Sequence, residues 1–291
     1  MMPLRRFDIH QPSSAREAAE MLARFGEDGI LYGGGTELLL AMKHDVLRYR
    51  HLVDVKVIPG ADSIDLIGAV LRIGATATHR SIERSELVRA HLPVFARMES
   101  RVANVRVRST GTLGGNLCFA EPHSDPATLL LALGATVVAE GADGRREIPV
   151  SELIAGAYET SLRHDEVLTE VHIPVTGPER RASYVKFSAH ERPLLGLALV
   201  LDTPDGGETF TGARVAVGCV SPFPCRHEDS EGLLRGARSE VEQRLPETAE
   251  ALADAAELVD DHEGSADFKR HLIAVFLKRA FLTAVRGEDA A

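Results

Sequence analysis

The amino-acid sequence predicts an α+β fold built from three successive units. Predicted strands and helices alternate over residues 1–57, and predicted strand pairs mix with helices over residues 58–176. Three predicted strands, joined by loops rich in Pro, Gly and Asp, follow residue 182. We therefore expect a small β-α-β-α-β unit, then a mixed or antiparallel sheet with helices, and finally a C-terminal antiparallel three-stranded sheet with helices.

The first unit contains three short strands and two helices. Ser14 and Glu17 have capping-box spacing, which indicates that a helix begins after Ser14. Apolar side chains recur along one face of that helix until Gly26 ends it. The predicted elements are a strand at Phe7–His10, the capped helix, a strand at Gly29–Tyr32, a helix at Thr36–Lys43 and a strand at Leu52–Val55.

The second and third units are predicted from alternating apolar residues and from turn residues. Asp125 and Pro126 begin a helix, because Asp is a good N-cap and Pro suits the first helical turn. The polar segment 176–181 is the predicted boundary between domains at 1–176 and 182–287. The expected strands and helices are Ile64–Ile67, Leu71–Ala77, a hairpin of Ala135–Glu140 and Arg146–Val150, Val167–Ile173, Tyr184–Ser188, Gly196–Leu201 and Gly212–Val220, with helices at Ile82–Val88, Val94–Val102, Thr128–Leu133 and Asp267–Val285.

The composition restricts the classes of function. The chain has 291 residues and a formal net charge of −10, which disfavours broad binding to nucleic acid because that requires a basic surface. No apolar run reaches the roughly 18 residues of a membrane span, and no secretory signal is visible, so we expect a cytoplasmic protein. Cys118, Cys219 and Cys225 are spaced unlike metal ligands, and no paired-histidine motif occurs, so no metal site is expected.

Two glycine-rich segments carry the functional signal: the first turn, Gly33-Gly34-Gly35-Thr36-Glu37, and the second turn, Thr112-Leu113-Gly114-Gly115-Asn116. Glycine permits sharp turns and close approach of the backbone, and helix N-termini offer free amides to anions. Together the turns predict a backbone cradle for a phosphate-bearing ligand, although each alone could be a plain connection. The first turn lacks a Gly-Lys-Ser/Thr ending and has Leu38 where G-x-G-x-x-G needs its last glycine, which excludes the two commonest nucleotide-binding motifs.

Polar side chains near the turns have two interpretations each. Asp125 accepts hydrogen bonds from ligand hydroxyls or only caps its own helix. His79 and His123 act as acid–base groups or, as lone histidines more often do, lie on the surface or cap a helix. Three arginines approach a pyrophosphate or a partner subunit, or form a solvated basic face: Arg101, Arg106 and Arg108. No Ser-His-Asp or Cys-His arrangement can be placed, so no catalytic side chain is expected.

The glycine segments and their surroundings resemble a known family. Gly33–Leu38, Thr112–Asn116, and Asp125-Pro126 with Leu129–Leu133 recur together in the FAD-binding medium subunits of the molybdenum hydroxylases, the family of xanthine dehydrogenase and carbon monoxide dehydrogenase. The resemblance covers nearly the whole chain, including Gly218–Pro222 in the third unit. It implies an FAD-binding domain of two subdomains, 1–57 and 58–176, followed by the family's C-terminal domain at 182–287.

The resemblance also implies which residues hold FAD. The segment around the first turn would wrap the pyrophosphate through backbone amides, with Thr36 and Glu37 reaching towards the flavin, and the second turn would form the other half of the cradle. Asp125 would hold ribityl or ribose hydroxyls, Leu168 would lie by the ring system, and Lys186 is a further position. The implied FAD-binding residues are Leu31, Tyr32, Gly33, Gly34, Gly35, Thr36, Glu37, Leu38, Thr112, Gly114, Gly115, Asn116, Asp125, Leu168 and Lys186.

The function implied by the resemblance is electron transfer. Electrons would pass from [2Fe-2S] clusters in a small subunit through FAD in this chain to an external acceptor, while a large molybdopterin-binding subunit oxidises the substrate, in a dimer of heterotrimers. One alternative is a self-sufficient FAD-dependent oxidoreductase with its own substrate pocket, in which His190 and Arg192 lie in a suitable loop. Another is a scaffold that has lost the cofactor, against which the intact glycines argue.

Overall fold

The computed structural model describes residues 4–175, 177, 179–188, 192–261 and 264–287. Its first unit confirms the predicted alternation of strands and helices. The strands form a parallel sheet, and Ser14 caps the first helix by accepting a hydrogen bond from the amide of Glu17 (3.2 Å). In chain order the elements are β1 (Asp8–His10), α1 (Ala15–Phe25), β2 (Gly29–Tyr32), α2 (Leu38–Lys43) and β3 (His51–Asp54), with sheet order β1-β3-β2.

Helix α2 begins later than predicted. It begins at Leu38 rather than Thr36, because the chain is still turning at Gly35, whose φ of +71° is a left-handed conformation that favours glycine. Thr36 and Glu37 therefore belong to the turn. The helix has six residues and no side-chain cap. The groups that the first turn offers to a ligand are therefore its own backbone amides rather than those of a helix terminus.

The second unit is a five-stranded sheet covered by helices, and every strand pair in it is antiparallel. The predicted helix at Ile82–Val88 is in fact two helices, because Ser85 ends one and caps the next. The elements are β4 (Ile64–Ile67), β5 (Val70–Gly74), α3 (His79–Arg84), α4 (Glu86–His91), α5 (Pro93–Ser100), α6 (Val105–Thr110), α7 (Leu113–Phe119), α8 (Asp125–Leu133), β6 (Thr136–Gly141), β7 (Gly144–Pro149), α9 (Val150–Leu153), a ribbon of β8 (Ile154–Gly156) and β9 (Glu159–Thr160), and β10 (Val167–Pro174), with sheet order β4-β5-β10-β6-β7.

The third unit has a four-stranded antiparallel sheet, so the prediction of three strands is wrong in number. The three predicted strands are present, and the fourth is a two-residue strand that pairs with the edge of the third. The predicted boundary at 176–181 includes residues 176 and 178, which lie outside the described residues. The elements are β11 (Arg180–Phe187), β12 (Leu195–Asp202), β13 (Thr209–Phe210), β14 (Gly212–Gly218), β15 (Cys225–Arg226), α10 (Glu228–Gly232), β16 (Gly236–Ala237), α11 (Arg238–Ala255) and α12 (Ala266–Arg286), with sheet order β11-β12-β14-β15.

Helix α8 joins the second unit to the third. All of its residues, Asp125–Leu133, are buried, as expected of a helix that is apolar around most of its surface. It packs on β12 and β14, whose opposite face is covered by α12 and α11. Strand β12 is consequently buried on both faces from Leu195 to Leu201. No helix in the described ranges is both long and apolar enough to cross a membrane.

Candidate FAD-binding site

The two glycine turns touch each other. A Cβ atom on Gly34 would lie 2.6 Å from Cα of Gly111 and would also clash with the carbonyl oxygen of Thr110. A Cβ atom on Gly33 would lie 2.9 Å from Oγ1 of Thr112. Real side chains do not tolerate such distances, so glycine at Gly34 is required for the first unit to meet the second. The structure therefore brings together the two segments that the sequence singled out.

The first turn leaves a row of backbone amides free. Within the described chain, the amides of Gly34, Gly35, Thr36 and Glu37 donate no hydrogen bond to a protein acceptor. All four residues are partly exposed. Backbone amides without a protein partner form a nest that suits an anion. This arrangement fits the diphosphate of FAD.

Lys56 supports the first turn and was not predicted from the sequence. Its Nζ donates to the carbonyl oxygen of Gly33 (3.0 Å) and to Oδ1 of Asp54 (2.6 Å). The same nitrogen lies 3.6 Å from the ring centroid of Tyr32, a cation–π distance. Lys56 thus ties the end of β2 to the residues after β3. No short-range pattern marks it, because its contacts with Tyr32 and Gly33 depend on the parallel pairing of those strands.

The second turn is the beginning of helix α7 rather than a loop. Thr112 caps the helix, and its Oγ1 accepts a hydrogen bond from the amide of Gly115 (3.1 Å). Gly114 is buried, and a Cβ there would lie 2.7 Å from Cβ of Ala75, whereas Gly115 is exposed. Gly114 thus serves the packing of α7, and Gly115 is the glycine that faces outward.

A short segment, residues 75–79, forms a third wall beside the second turn. The amides of Leu113 and Gly114 donate to the carbonyl oxygens of Ala77 (3.0 Å) and Ala75 (2.8 Å). The amide of Ala75 donates in turn to the carbonyl of Thr169 (2.9 Å), next to Leu168. Leu168 is buried in the core of the second unit at a bulge in β10. The predicted ring-side residue therefore lies on the strand that supports this wall.

Asn116 is held by the residue that precedes helix α8. Its Oδ1 accepts a hydrogen bond from the hydroxyl of Ser124 (2.6 Å), and Asn116 is partly exposed. Ser124 is the N-cap residue of α8. The hydrogen bond thus links the helix of the second turn to the beginning of the helix that carries Asp125.

Asp125 and Lys186, both predicted site residues, form a buried ion pair. Nζ of Lys186 lies 2.9 Å from Oδ2 of Asp125 and also donates to the carbonyl of Arg101 (2.6 Å). The hydroxyl of Tyr184 donates to Oδ1 of Asp125 (2.6 Å). Asp125 lies in the first turn of α8 after the N-cap Ser124, so the interpretation of Asp125 as only a helix cap is wrong.

Tyr184, which bonds Asp125, keeps its phenol proton in these surroundings. Burial, reinforced by the charge of Asp125, raises the pKa of Tyr184 well above its usual value. The phenol therefore remains a hydrogen-bond donor at neutral pH. Asp125 receives one donor on each oxygen, and each oxygen retains a lone pair for a further donor.

Charged residues line the rim beside the turns. Arg192 reaches Oε2 of Glu37 (3.5 Å) and Oε1 of Glu121 (3.4 Å), and His123 lies 3.1 Å from the same Oε1. Burial raises the pKa of Glu121, but the hydrogen bond with His123 and the charge of Arg192 outweigh it, so the net shift is downward. Arg192 is thus engaged with carboxylates, and His190, its neighbour in the alternative hypothesis, lies outside the described residues.

The other candidate residues are placed as follows. His79 is buried, so the surface interpretation is wrong for it, and its Nδ1 lies 2.6 Å from Oε2 of Glu99. Arg108 donates to Glu83 and to the carbonyl of Val102. Arg101 and Arg106 are exposed, and none of the three arginines donates a hydrogen bond to either turn. The described residues contain no cluster of three potential metal ligands.

The fold and the paired turns define an α+β protein with a backbone cradle for a phosphate-bearing ligand, and comparison with known proteins specifies the family. Residues 5–176 match the family described as the FAD binding domain in molybdopterin dehydrogenase, and residues 183–284 match the CO dehydrogenase flavoprotein C-terminal domain.

Individual relatives agree along the whole chain. The chain is 31% identical to the carbon monoxide dehydrogenase medium chain of Hydrogenophaga pseudoflava, over 96% of this chain and 97% of that one. It is 30% identical to the nicotine 6-hydroxylase medium subunit of Paenarthrobacter nicotinovorans, over 94% and 95%. A solved carbon monoxide dehydrogenase structure from H. pseudoflava superimposes with a TM-score of 0.91 at 31% identity, over 99% of this chain and 100% of that chain. The chain belongs to the family of FAD-binding medium subunits of the molybdenum hydroxylases.

Proposed function

We propose that this chain is the FAD-carrying electron-transfer subunit of a multi-subunit molybdenum hydroxylase. In this proposal a small subunit delivers electrons from its [2Fe-2S] clusters, FAD in this chain passes them to an external acceptor, and a large molybdopterin-binding subunit oxidises the substrate. The names of its relatives, a medium chain and a medium subunit, support a place within a larger complex. We further propose a dimer of heterotrimers.

The observation that carries the proposal is the row of free amides at Gly34–Glu37, closed on one side by the second turn. The diphosphate of FAD would accept hydrogen bonds from these amides, as anions do from backbone nests. Thr36 and Glu37 would extend from the diphosphate towards the flavin. Leu31, Tyr32 and Leu38 would flank the turn on either side.

The second unit would supply the other half of the cradle. Thr112 holds the amide of Gly115 in place, Gly114 allows α7 to pack closely on Ala75, and Gly115 and Asn116 would face the cofactor. Leu168 would lie by the ring system. Asp125, steadied by Lys186, would use its remaining lone pairs to accept hydrogen bonds from hydroxyls of the cofactor.

FAD, when bound, supplies the redox chemistry. The chain's own residues would bind FAD and orient it. Charged side chains would line the rim of the site. The exposed pairs of Arg192 with Glu37 and Glu121 would screen the opening beside the turns. No side chain of this chain acts as a general base on the substrate. We propose the FAD-binding domain at 1–176, with subdomains 1–57 and 58–176, and the C-terminal domain at 182–287.

A reconstitution experiment on the purified complex tests this function. The complex is reduced with dithionite, and the reoxidation of its iron–sulfur clusters by oxygen or by NAD⁺ is followed before and after FAD is stripped from it. We expect fast reoxidation with one of these acceptors, a large loss on removal of FAD, and recovery when FAD is added back. A complex that contains no FAD, or whose clusters pass electrons to that acceptor equally fast without FAD, would contradict the proposal.

A further inference from the structure

His79 lies where the two turns meet. It is the first residue of α3, and its backbone amide donates to the carbonyl of Gly111 (3.1 Å). The position that a Cβ atom on Gly111 would occupy is 3.3 Å from Cδ2 of His79 and 3.5 Å from Oγ1 of Thr36. One edge of the imidazole therefore faces the junction between the first turn and Gly111.

Glu99 contacts Nδ1 of this imidazole. Its carboxylate is fully buried, and Oε2 lies 2.6 Å from Nδ1 of His79. Oε1 of Glu99 has no hydrogen-bond partner among the described residues. A buried carboxylate with a single partner is costly unless that partner supplies a proton and a positive charge. The 2.6 Å contact between Nδ1 and Oε2 is therefore a hydrogen bond that holds the orientation of the ring.

The other ring nitrogen is the one available to a ligand. Nε2 is bonded to Cδ2, so it belongs to the edge of the ring that faces Gly111. Among the described residues, the side chain of His79 makes one hydrogen bond, that between Nδ1 and Glu99. When Nε2 carries a proton, it is a hydrogen-bond donor with no partner among the described residues, on the edge of the ring that faces Gly111.

We propose that His79 is a further cofactor-binding residue, whose Nε2–H donates a charge-assisted hydrogen bond to a phosphate oxygen of FAD. Glu99 acts as its positioning residue. This inference rests on the proposed position of FAD between the two turns. It places a side-chain N–H donor beside a diphosphate in a chain whose net charge is −10, where the first turn itself contributes a carboxylate, that of Glu37.

Two substitutions at His79 separate contact with the cofactor from support of the fold. In His79→Asn the amide nitrogen replaces Nδ1 and can still reach Glu99, but nothing replaces Nε2. In His79→Gln the amide nitrogen replaces Nε2 instead. A matched control is His172→Gln, because Nε2 of His172 also lies near a glutamate, 2.7 Å from Oε2 of Glu170 on strand β10, and the amide nitrogen of Gln replaces that Nε2.

Binding to the full-length chain, freed of flavin, is the measurement. Flavin fluorescence gives the Kd of FAD, and competition gives the affinities of ADP, which has the diphosphate, and adenosine, which lacks it. We expect His79→Asn to weaken the binding of FAD and of ADP by about 10- to 100-fold, the range for a hydrogen bond to a charged group. Adenosine binding and the control variant should stay unchanged, and His79→Gln should retain part of the affinity.

Other outcomes discriminate between the two proposals. Unchanged binding of FAD and ADP by His79→Asn, or equal weakening of adenosine and ADP, would overturn the role of His79. If that variant does not fold, Glu99→Gln keeps the histidine and removes the charge of the glutamate. It should weaken the binding of ADP but not that of adenosine. Unchanged ADP binding would overturn the inference. A wild-type chain that binds no FAD would instead contradict the proposed function.

Discussion

Gly34 and Gly111 meet backbone to backbone, so closely that a Cβ atom on Gly34 would lie 2.6 Å from Cα of Gly111. This contact joins the parallel sheet of the first unit to the antiparallel unit that follows. It leaves the amides of residues 34–37 free on one side. The cradle is thus formed by two segments that are distant in sequence and that only glycine allows to approach.

The first prediction concerns Gly34. Gly34→Ala should destabilise the chain by about 1–3 kcal/mol, the usual cost of overpacking, and should lower its FAD content because the turns are forced apart. Gly232→Ala is the control, since a Cβ there meets nothing within 4 Å. Denaturant unfolding and flavin released on denaturation give both values. Wild-type FAD content in Gly34→Ala would show that the contact does not shape the site.

The second prediction separates two neighbouring glycines. Gly114→Ala should lower the free energy of unfolding by about 1–3 kcal/mol, because its Cβ would be pressed against Ala75. Gly115→Ala should cost less stability, since Gly115 is exposed and its Cβ would meet only Oγ1 of Thr112. Thermal unfolding of the flavin-free variants distinguishes them. Equal losses at both positions would contradict the different roles given to the two residues.

The third prediction concerns the buried pair of Asp125 and Lys186. Asp125→Asn should destabilise the chain by about 3–5 kcal/mol, because it leaves the ammonium of Lys186 buried without a counter-charge. Adding Lys186→Met should recover part of that loss. Glu20→Gln, which removes an exposed pair with Arg16, should cost under about 0.5 kcal/mol. Urea unfolding of the four proteins tests this, and a small effect of Asp125→Asn would argue against a buried charge pair.

The fourth prediction is a pH dependence at Glu166. Hydrogen bonds from Arg146 hold the pKa of Glu166 below its ordinary value of 4.5. Because the folded pKa is the lower one, this carboxylate stabilises the fold above pH 4.5, and the contribution is lost as pH falls through the folded pKa. Glu166→Gln should be less stable by about 2 kcal/mol at neutral pH, and the difference should shrink in acid. A constant difference across that range would contradict the assignment.

Local signals in the sequence predicted much of the fold. The cap at Ser14, the hairpin of β6 and β7, and the long helix α12 follow from spacing and periodicity within single segments. The fourth strand of the last sheet, Cys225–Arg226, was missed because two residues are too short to show alternation.

The sequence supplied candidate residues for the site but not the geometry that the structure gives them. The second segment was predicted as a glycine-rich turn, whereas it begins helix α7, and the close approach of Ala75 explains why a glycine lies at Gly114. Lys56 and the partner of His79, twenty residues away at Glu99, depend on tertiary contacts. The resemblance implies an FAD-binding role for Gly114 and Gly115 alike, and the structure gives Gly114 a packing role as well.

Amide hydrogen exchange of the full-length chain, with and without FAD, tests the central claim most directly. The amides of residues 34–37 have no protein acceptor in the described chain, so they should exchange quickly in the flavin-free protein and slowly when the diphosphate of FAD binds them. Helix α10, Glu228–Gly232, should show no change. FAD that binds without slowing exchange at residues 34–37 would contradict a cradle formed by the first turn.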